Sequence, residues 1–244
     1  MHCCAISSAK LLVWKWAAIC KFAGRVERQM ARPVRLRDTC MTRHRIGILV
    51  CSLRKDSINR KIALSVAAFA KSTLDCRIIE IGDLPLYNED DDTNPPPQYK
   101  RFRDEIAAVD GILFCTPEYN RGIPAAIKNA LDVGSRPYGH SVWDKKPAAI
   151  ISASPSPIGA FGANHQLRQS CVFLNMPVMQ QPEAYLGQVT SDKFDEEGRL
   201  REGPLRDIVL SISAAFASWV GLIEHGKMKI AENAAHALRA SESM

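Results

Sequence analysis

Two short polar loops carry most of the side chains that could do chemistry. The first follows an apolar run at residues 46–50 and offers hydroxyl, amide and guanidinium donors at Ser52, Arg54, Ser57 and Asn59. An amphipathic helix pattern begins directly after it, so backbone N–H groups and a helix dipole would add to these donors. Donors gathered at a helix N-terminus are typical of a phosphate site. The alternative is that Ser57 or Asn59 only caps the helix.

Better-known phosphate motifs do not match this first loop. It lacks the Gly-Lys-Ser/Thr ending of a Walker A loop and the spaced glycines of a dinucleotide-binding fingerprint. A tyrosine-phosphatase loop built on Cys51 would need arginine at position 57, where Ser57 stands. We therefore interpret Cys51 as a packed thiol at the end of a strand.

The second loop follows another apolar run, at residues 111–115, and is stiffened by proline. It contains Pro117, Glu118, Tyr119 and Asn120 and exposes several backbone N–H groups. A tyrosine face beside an amide would suit a planar heteroaromatic ligand. A proline-rich surface turn without a ligand is the alternative.

Strand and helix patterns alternate along the chain and must position these loops. Five helices are predicted. The first includes residues 62–70, the second ends near residue 109, the third covers 124–134, the fourth ends near 174 and the fifth begins at 204. The strands are predicted at residues 46–50, 77–81, 111–115, 148–152 and 177–180. Short continuous apolar runs indicate a parallel sheet buried on both faces. We therefore expect an α/β fold, a flavodoxin-like doubly wound five-stranded parallel sheet with helices on both faces. Ligands should bind in loops 51–58, 116–123 and 152–162, at the carboxyl ends of strands.

Charge and composition restrict the function classes. The net charge of +6 over 244 residues comes from residues 1–45, which hold ten basic and two acidic side chains. The remainder is slightly acidic, which excludes a nucleic-acid-binding interpretation of the whole chain. No uninterrupted apolar run reaches the length of about 18 residues that suggests a membrane span.

We expect residues 1–43 to be a disordered or non-native leader, with a transit peptide or membrane-surface helix as the alternative. Residues 44–225 would form the domain, and 226–244 a C-terminal tail.

Taken together, the loop motifs resemble those of one family. Residues 52–61 read SLRKDSINRK, residues 116–120 read TPEYN, and residues 123–132 read IPAAIKNALD. With Ser-Arg-Pro at 135–137, this combination resembles the NADPH-dependent FMN reductase family, which includes bacterial chromate and quinone reductases. The resemblance covers about residues 44–220. It implies a flavodoxin-like fold, bound FMN and reduction by NADPH or NADH.

The resemblance also implies roles for individual residues. Ser52, Arg54, Ser57 and Asn59 would hold the FMN phosphate. The isoalloxazine ring would contact Pro117, Glu118, Tyr119 and Asn120, and the segment from Ser154 to Gly159 would close its other edge. The six histidines are scattered without metal spacing, so no metal and no catalytic side chain is assigned. The resemblance implies that the flavin would carry the chemistry, passing a hydride from the nicotinamide to a quinone, chromate or similar acceptor by a ping-pong route.

Several positions depart from the family pattern. Family members usually have Gly where Cys51 stands and often Ser where Gly122 stands. Chromate-reducing relatives use Arg and Tyr in a tetramer interface at the positions of Gly162 and His165, whereas Glu183 is kept. We therefore expect a cytoplasmic homodimer, with a tetramer as the alternative. Its partner would be a small-molecule electron acceptor, with neither nucleic acid nor membrane bound.

Two other functions remain open at this stage. One is a flavodoxin-like electron carrier that does not oxidise nicotinamide itself, although the near-neutral body of this chain argues against it. The other is a redox-responsive regulatory protein whose basic leader binds nucleic acid or membrane.

Overall fold

A computed structural model describes residues 43–242, so the expectation of a basic leader falls almost entirely outside the described residues. Five parallel strands form one sheet in the order β2-β1-β3-β4-β5. The strands are β1 (His44–Val50), β2 (Leu74–Ile78), β3 (Gly111–Thr116), β4 (Ala148–Ala153) and β5 (Ala184–Leu186). The helices are α1 (Ile58–Phe69), α2 (Pro97–Ala107), α3 (Ala125–Gly134), α4 (Phe161–Phe173) and α5 (Pro204–Glu242). This architecture confirms the predicted flavodoxin-like fold.

Alternate residues of the central strands face opposite cores. Ile48, Leu113 and Ala149 lie side by side across β1, β3 and β4, and all three pack in the core beneath α1 and α5. The next residues along, Leu49, Phe114 and Ile150, pack in the second core beneath α2, α3 and α4. Because both faces are covered, the strands are apolar throughout, as parallel sheets require.

The two edge strands differ from the sequence prediction. β2 pairs with β1 through residues 74–78, whereas the apolar pattern predicts 77–81. Ile79 and Ile81 are buried in the second core, so their apolar character reflects packing rather than strand pairing. The predicted strand at 177–180 is wrong, since Val178 makes only an isolated bridge to Ala148. The segment lies between prolines at 177 and 182, which lack the N–H groups a ladder needs.

The last helix is longer than expected. It begins at Pro204 as predicted but runs without a break to Glu242, so no helix end marks a tail at residue 226. Pro204–Arg239 is long and apolar enough to cross a membrane by length and composition. Counting only uninterrupted apolar runs misses this helix because charged residues are scattered along it. Val209, Ile212, Phe216 and Val220 of this helix are buried in the core beneath α1.

Candidate functional site

Direct contacts bring together the loops after β1, β3 and β4. The Asn59 amide, in the first turn of α1, donates to the carbonyl of Ala153 at the end of β4, 3.2 Å away. The carboxylate of Glu118, after β3, accepts from the backbone N–H of Ala163 in the first turn of α4 at 3.1 Å. The predicted loops therefore meet at the carboxyl edge of the sheet, as doubly wound folds require of a ligand site.

In the β1 loop, two of the predicted phosphate ligands already have partners. Ser57 is the N-cap of α1, and its hydroxyl oxygen accepts from the Arg60 backbone N–H at 3.3 Å. Asn59 is only 1% exposed and its amide holds Ala153, while its side-chain oxygen has no hydrogen-bond partner among residues 43–242. Both therefore organise the loop, and their contact with a phosphate stays a prediction. The hydroxyl-bearing Ser52 is buried beside them.

The charges around this loop leave one guanidinium available. Asp56 pairs with Lys61 at 2.5 Å, which lowers the pKa of the Asp56 carboxyl, and Arg60 pairs with Glu80 at 2.7 Å. Arg54 is exposed and makes no ion pair with any residue from 43 to 242. The first turn of α1 contains no acidic residue. A cleft of about 420 Å³ lies along the loop, lined in part by Ser52, Arg54, Arg60 and Glu80, whose carboxylate is paired with Arg60. An anion is the natural complement to this arrangement.

The β3 loop folds into a tight two-residue turn, which we name the 118–122 turn. The backbones of Tyr119 and Gly122 exchange hydrogen bonds at 2.9 and 3.0 Å. The intervening Asn120 and Arg121 both have left-handed backbone conformations, with φ of 51° and 65°. Asparagine tolerates this conformation, whereas at Arg121 it costs about 1–3 kcal/mol and must be held by surrounding contacts.

The same turn presents unused hydrogen-bond donors. Within the described part of the chain, the backbone N–H groups of Glu118, Asn120 and Arg121 have no acceptor. Tyr119 is exposed beside them, as a stacking surface would be. Donors arranged this way can bind the polar edge of a flat heteroaromatic ring, which is the chemistry that the sequence predicts for this loop.

Glu118 has a role that the sequence analysis missed. Its side chain is 12% exposed and receives the Ala163 N–H, while Arg121 donates to its other oxygen at 3.4 Å. The N-cap of helix α4 is Ala160, whose side chain cannot accept a hydrogen bond, so the carboxylate of Glu118 supplies the cap from another loop. The alanine at position 160 was the feature of the sequence that could have indicated a cap from elsewhere in the chain.

Gln166 is the second residue that the sequence analysis missed. Its side-chain oxygen accepts from the backbone N–H of Ile123 at 2.9 Å, directly after the 118–122 turn. Nothing in the local sequence of α4 singles it out, because the contact depends on how the turn meets the helix.

The β4 loop closes the opposite side through backbone packing. Gly159 has φ of 66°, and a Cβ there would lie 2.6 Å from the Tyr185 backbone, so glycine is needed for the loop to lie against β5. The hydroxyl of Ser152 donates to the Gly159 carbonyl at 2.7 Å. The hydroxyl of Ser154 donates to the Ser156 carbonyl. Ile158 in the same loop is exposed. Gly159 thus shapes the loop, and direct contact of Ser154 or Gly159 with a cofactor stays a prediction.

Cys51 is a packed thiol, as predicted. It is buried against the second core, and burial raises its pKa to about 12. A neutral thiol of this kind is not a nucleophile. Among residues 43–242, no cluster of three or more His, Cys, Asp or Glu side chains could hold a metal ion.

Five parallel strands with donor-rich loops after β1, β3 and β4 define a flavodoxin-like, flavin-binding protein. The particular family follows from comparison with known proteins. The family model for NADPH-dependent FMN reductase matches residues 44–191, and the chain belongs to that family. The resemblance inferred from the loop motifs is therefore confirmed, and FMN with a nicotinamide nucleotide are its cofactors.

Characterised relatives cover the domain almost completely. A quinone reductase of Pseudomonas putida is 54% identical over 178 residues, which are 72% of this chain and 95% of the relative. A 2-hydroxy-1,4-benzoquinone reductase of a Burkholderia species is 40% identical over 176 residues, 72% of this chain and 96% of the relative. The solved structure of FerB, a flavoenzyme NAD(P)H:(acceptor) oxidoreductase of Paracoccus denitrificans, matches with a TM-score of 0.70. It is 36% identical and covers 73% of this chain and 97% of that one.

The residues present fit FMN. A phosphate needs donors and positive charge, which are provided by the acid-free N-terminus of α1 and by Arg54, whose guanidinium has no ion-pair partner in the part of the chain that the structure describes. A flavin ring needs a flat neighbour and donors at its polar edge, which the 118–122 turn provides with Tyr119 and three unused N–H groups.

Proposed function

We propose that the protein is an NAD(P)H:quinone oxidoreductase that works through bound FMN. The observation that carries this proposal is the 118–122 turn, whose unused N–H groups lie at the same sheet edge as the donor-rich N-terminus of α1. A phosphate site and a ring site at one edge match a flavin mononucleotide. The quinone acceptor is supported by the named activities of relatives at 54% and 40% identity.

The chain's own residues bind and orient rather than react. Arg54 and the first turn of α1 would hold the phosphate, with Ser52 and Ser57 as neutral donors. Asn59 keeps that turn against β4 through Ala153. The N–H groups of the 118–122 turn would donate to the polar edge of the ring, and Ser154 to Ile158 would limit access from the other side. When bound, FMN supplies the chemistry by taking electrons from the nicotinamide and passing them to the acceptor.

The two half-reactions give a direct test of the enzyme. NADPH added to the flavin-loaded protein without oxygen should bleach the flavin absorption, and a quinone added afterwards should restore it. If dithionite bleaches the flavin but neither NADPH nor NADH does, the protein is an electron carrier and the proposed function fails. Chromate replacing the quinone in the second step tests whether it is also an acceptor.

We further propose a homodimer rather than a tetramer. The positions that chromate-reducing relatives use between subunits make contacts within this chain. His165 bonds to the Tyr185 hydroxyl at 3.0 Å, and Gly162 lies against Glu118, where a Cβ would be 2.9 Å from its carboxylate. Light scattering coupled to size exclusion should give twice the chain mass, and four times that mass would contradict the proposal.

The proposed compartment is the cytoplasm. The described cysteines, at positions 51, 76, 115 and 171, are all free thiols, as is usual in a reducing environment. Cell fractionation with an antibody against the native protein tests this location. Recovery in a membrane or secreted fraction would contradict it.

A further inference from the structure

The 118–122 turn is fastened to α4 at two points. On the entry side, the Glu118 carboxylate receives the backbone N–H of Ala163. On the exit side, the backbone N–H of Ile123 donates to the side-chain oxygen of Gln166 at 2.9 Å. The turn therefore has one anchor on each of its two arms, and both anchors lie in the first two turns of the same helix.

The turn needs these anchors because its own sequence does not favour its shape. Asn120 and Arg121 both adopt left-handed conformations, and neither is glycine. Non-glycine residues keep such conformations only where surrounding contacts determine them. The close approach to α4 is also exacting, since a Cβ on Gly122 would lie 2.9 Å from the Gln166 oxygen. A serine here would displace the Gln166 oxygen, so this anchor is matched to Gly122.

We propose that Gln166 is a positioning residue for the flavin ring. By fixing Ile123, it holds the 118–122 turn in the one conformation that presents the N–H groups of Asn120 and Arg121 together. This inference rests on the proposed function, because the turn has a ring to orient only when a flavin is bound. Among residues 43–242, the Gln166 side chain makes a hydrogen bond only with Ile123.

Three variants separate this role from general packing. Gln166→Met keeps the length and helix propensity of the side chain but removes the amide acceptor. Gln166→Glu keeps an acceptor oxygen in the same place. Gln169→Met makes the same chemical change about one turn further along α4, where the exposed side chain makes no hydrogen bond with any of residues 43–242. All three should retain the melting temperature of the flavin-free protein within a few degrees.

The first measurement compares the affinities of FMN and riboflavin. Without its anchor, the turn samples other conformations and must be ordered again by the ligand, at a cost up to the value of one hydrogen bond. Gln166→Met should therefore bind FMN about two- to tenfold more weakly, and riboflavin by the same factor, because the ring is common to both. Gln166→Glu should restore most of the affinity, and Gln169→Met should match the wild type.

The second set of measurements does not depend on turnover. In the flavin-free protein, the amide of Ile123 should exchange with deuterium faster in Gln166→Met than in the wild type. In the loaded protein, the flavin midpoint potential should become more negative, because poorly aligned donors stabilise the electron-rich reduced ring less. Gln166→Glu should keep the wild-type exchange rate at Ile123, although its added negative charge would by itself make the potential more negative.

The outcomes separate this inference from the proposed function. Wild-type affinities, exchange and potential in Gln166→Met would overturn the role of Gln166 and leave the flavin enzyme intact. A loss of FMN affinity with riboflavin unaffected would also overturn it, because that pattern belongs to the phosphate loop. If the wild type binds neither flavin, the proposed function itself fails.

Discussion

The side-chain amide of Asn59 donates to the carbonyl of Ala153 at 3.2 Å, joining the first turn of α1 to the last residue of β4. Both residues are buried, and the strands that lead to them, β1 and β4, are separated by β3. This one bond therefore fixes the loop after β1 relative to the loop after β4. The family resemblance implies that Asn59 binds the phosphate, whereas its described contact is with Ala153.

Replacing Asn59 should reveal that structural role. Asn59→Ala leaves the Ala153 carbonyl buried without a donor, which should lower the free energy of unfolding by about 1–3 kcal/mol. Urea titration of the flavin-free protein measures this loss. The ratio of FMN to riboflavin affinity should fall only slightly, because the bond holds the β1 loop in place without contacting the phosphate. A selective loss of FMN binding without a loss of stability would instead assign the amide to the phosphate.

Two helical glycines should respond in opposite directions to alanine. A Cβ at Gly162 would lie 2.9 Å from a Glu118 oxygen and 3.0 Å from the Arg121 carbonyl, whereas nothing lies within 4 Å of Gly226 in α5. Gly162→Ala should destabilise the protein by about 1–3 kcal/mol through overpacking. Gly226→Ala should be neutral or stabilise it by up to about 1 kcal/mol through helix propensity. Thermal unfolding of the pair checks both signs, and equal shifts would contradict the described packing.

The described thiols should resist modification in the native state. Burial raises the pKa of Cys51 and Cys171 to about 12 and that of Cys76 to about 11. At pH 8 only a very small fraction of each thiol is therefore ionised. As long as the pH stays below the pKa, that fraction increases about tenfold for each unit by which the pH is raised. Labelling with an aromatic disulfide reagent should be slow at pH 8, increase with pH at Cys76 first, and reach all four described thiols only on denaturation. A variant beginning at Met41 removes the other cysteines from the assay, and rapid labelling of Cys51 would contradict its burial.

The sequence was sufficient for elements whose pattern arises from burial on both faces. The predicted bounds of β3 and β4 lie within one residue of the observed ones, because a continuous apolar run that ends in a Thr-Pro or Ser-rich loop is typical of a central parallel strand. The edge strands could not be placed in this way. Ile79 and Ile81 are apolar because they pack under α2, so their pattern does not mark where β2 pairs with β1. The strand β5 is only three residues long, which is too short to give a recognisable apolar run.

The candidate site shows the same division between local and distant effects. Sequence motifs located the donor-rich loops, since loop chemistry is encoded by neighbouring residues. They did not show that Glu118 caps α4 or that Gln166 anchors the turn, because each bond joins residues more than forty positions apart. Those partners depend on the packing of α4 against the β3 loop.

We expect residues 1–40 to be dispensable for flavin binding. A variant beginning at Met41 keeps every described strand and helix, so its melting temperature, FMN content and turnover should match those of the full chain. Differential scanning fluorimetry and anaerobic turnover with NADPH make the comparison. A drop of several degrees, or loss of the flavin, would show that the leader contributes to the fold.

Arg54 should anchor the FMN phosphate without taking part in electron transfer. Its guanidinium is exposed beside the acid-free N-terminus of α1 and has no ion-pair partner among the described residues. A charge-assisted hydrogen bond to a phosphate contributes about 1.5–3 kcal/mol. Arg54→Ala should therefore weaken FMN about ten- to a hundredfold, measured by fluorescence quenching, while riboflavin affinity hardly changes.

Two further variants show whether that loss is specific to Arg54. Lys71→Ala removes the same charge at the other end of α1, where the side chain is exposed, and should leave both affinities unchanged. Ser57→Ala should weaken FMN less, because its donor is neutral, and should cost about 1 kcal/mol of stability, because Ser57 also caps α1. At saturating FMN, turnover of Arg54→Ala with NADPH should equal that of the wild type, because every protein molecule then holds its cofactor. If its turnover falls while FMN affinity stays intact, Arg54 contacts the nicotinamide nucleotide or the acceptor instead, and the phosphate assignment must be withdrawn.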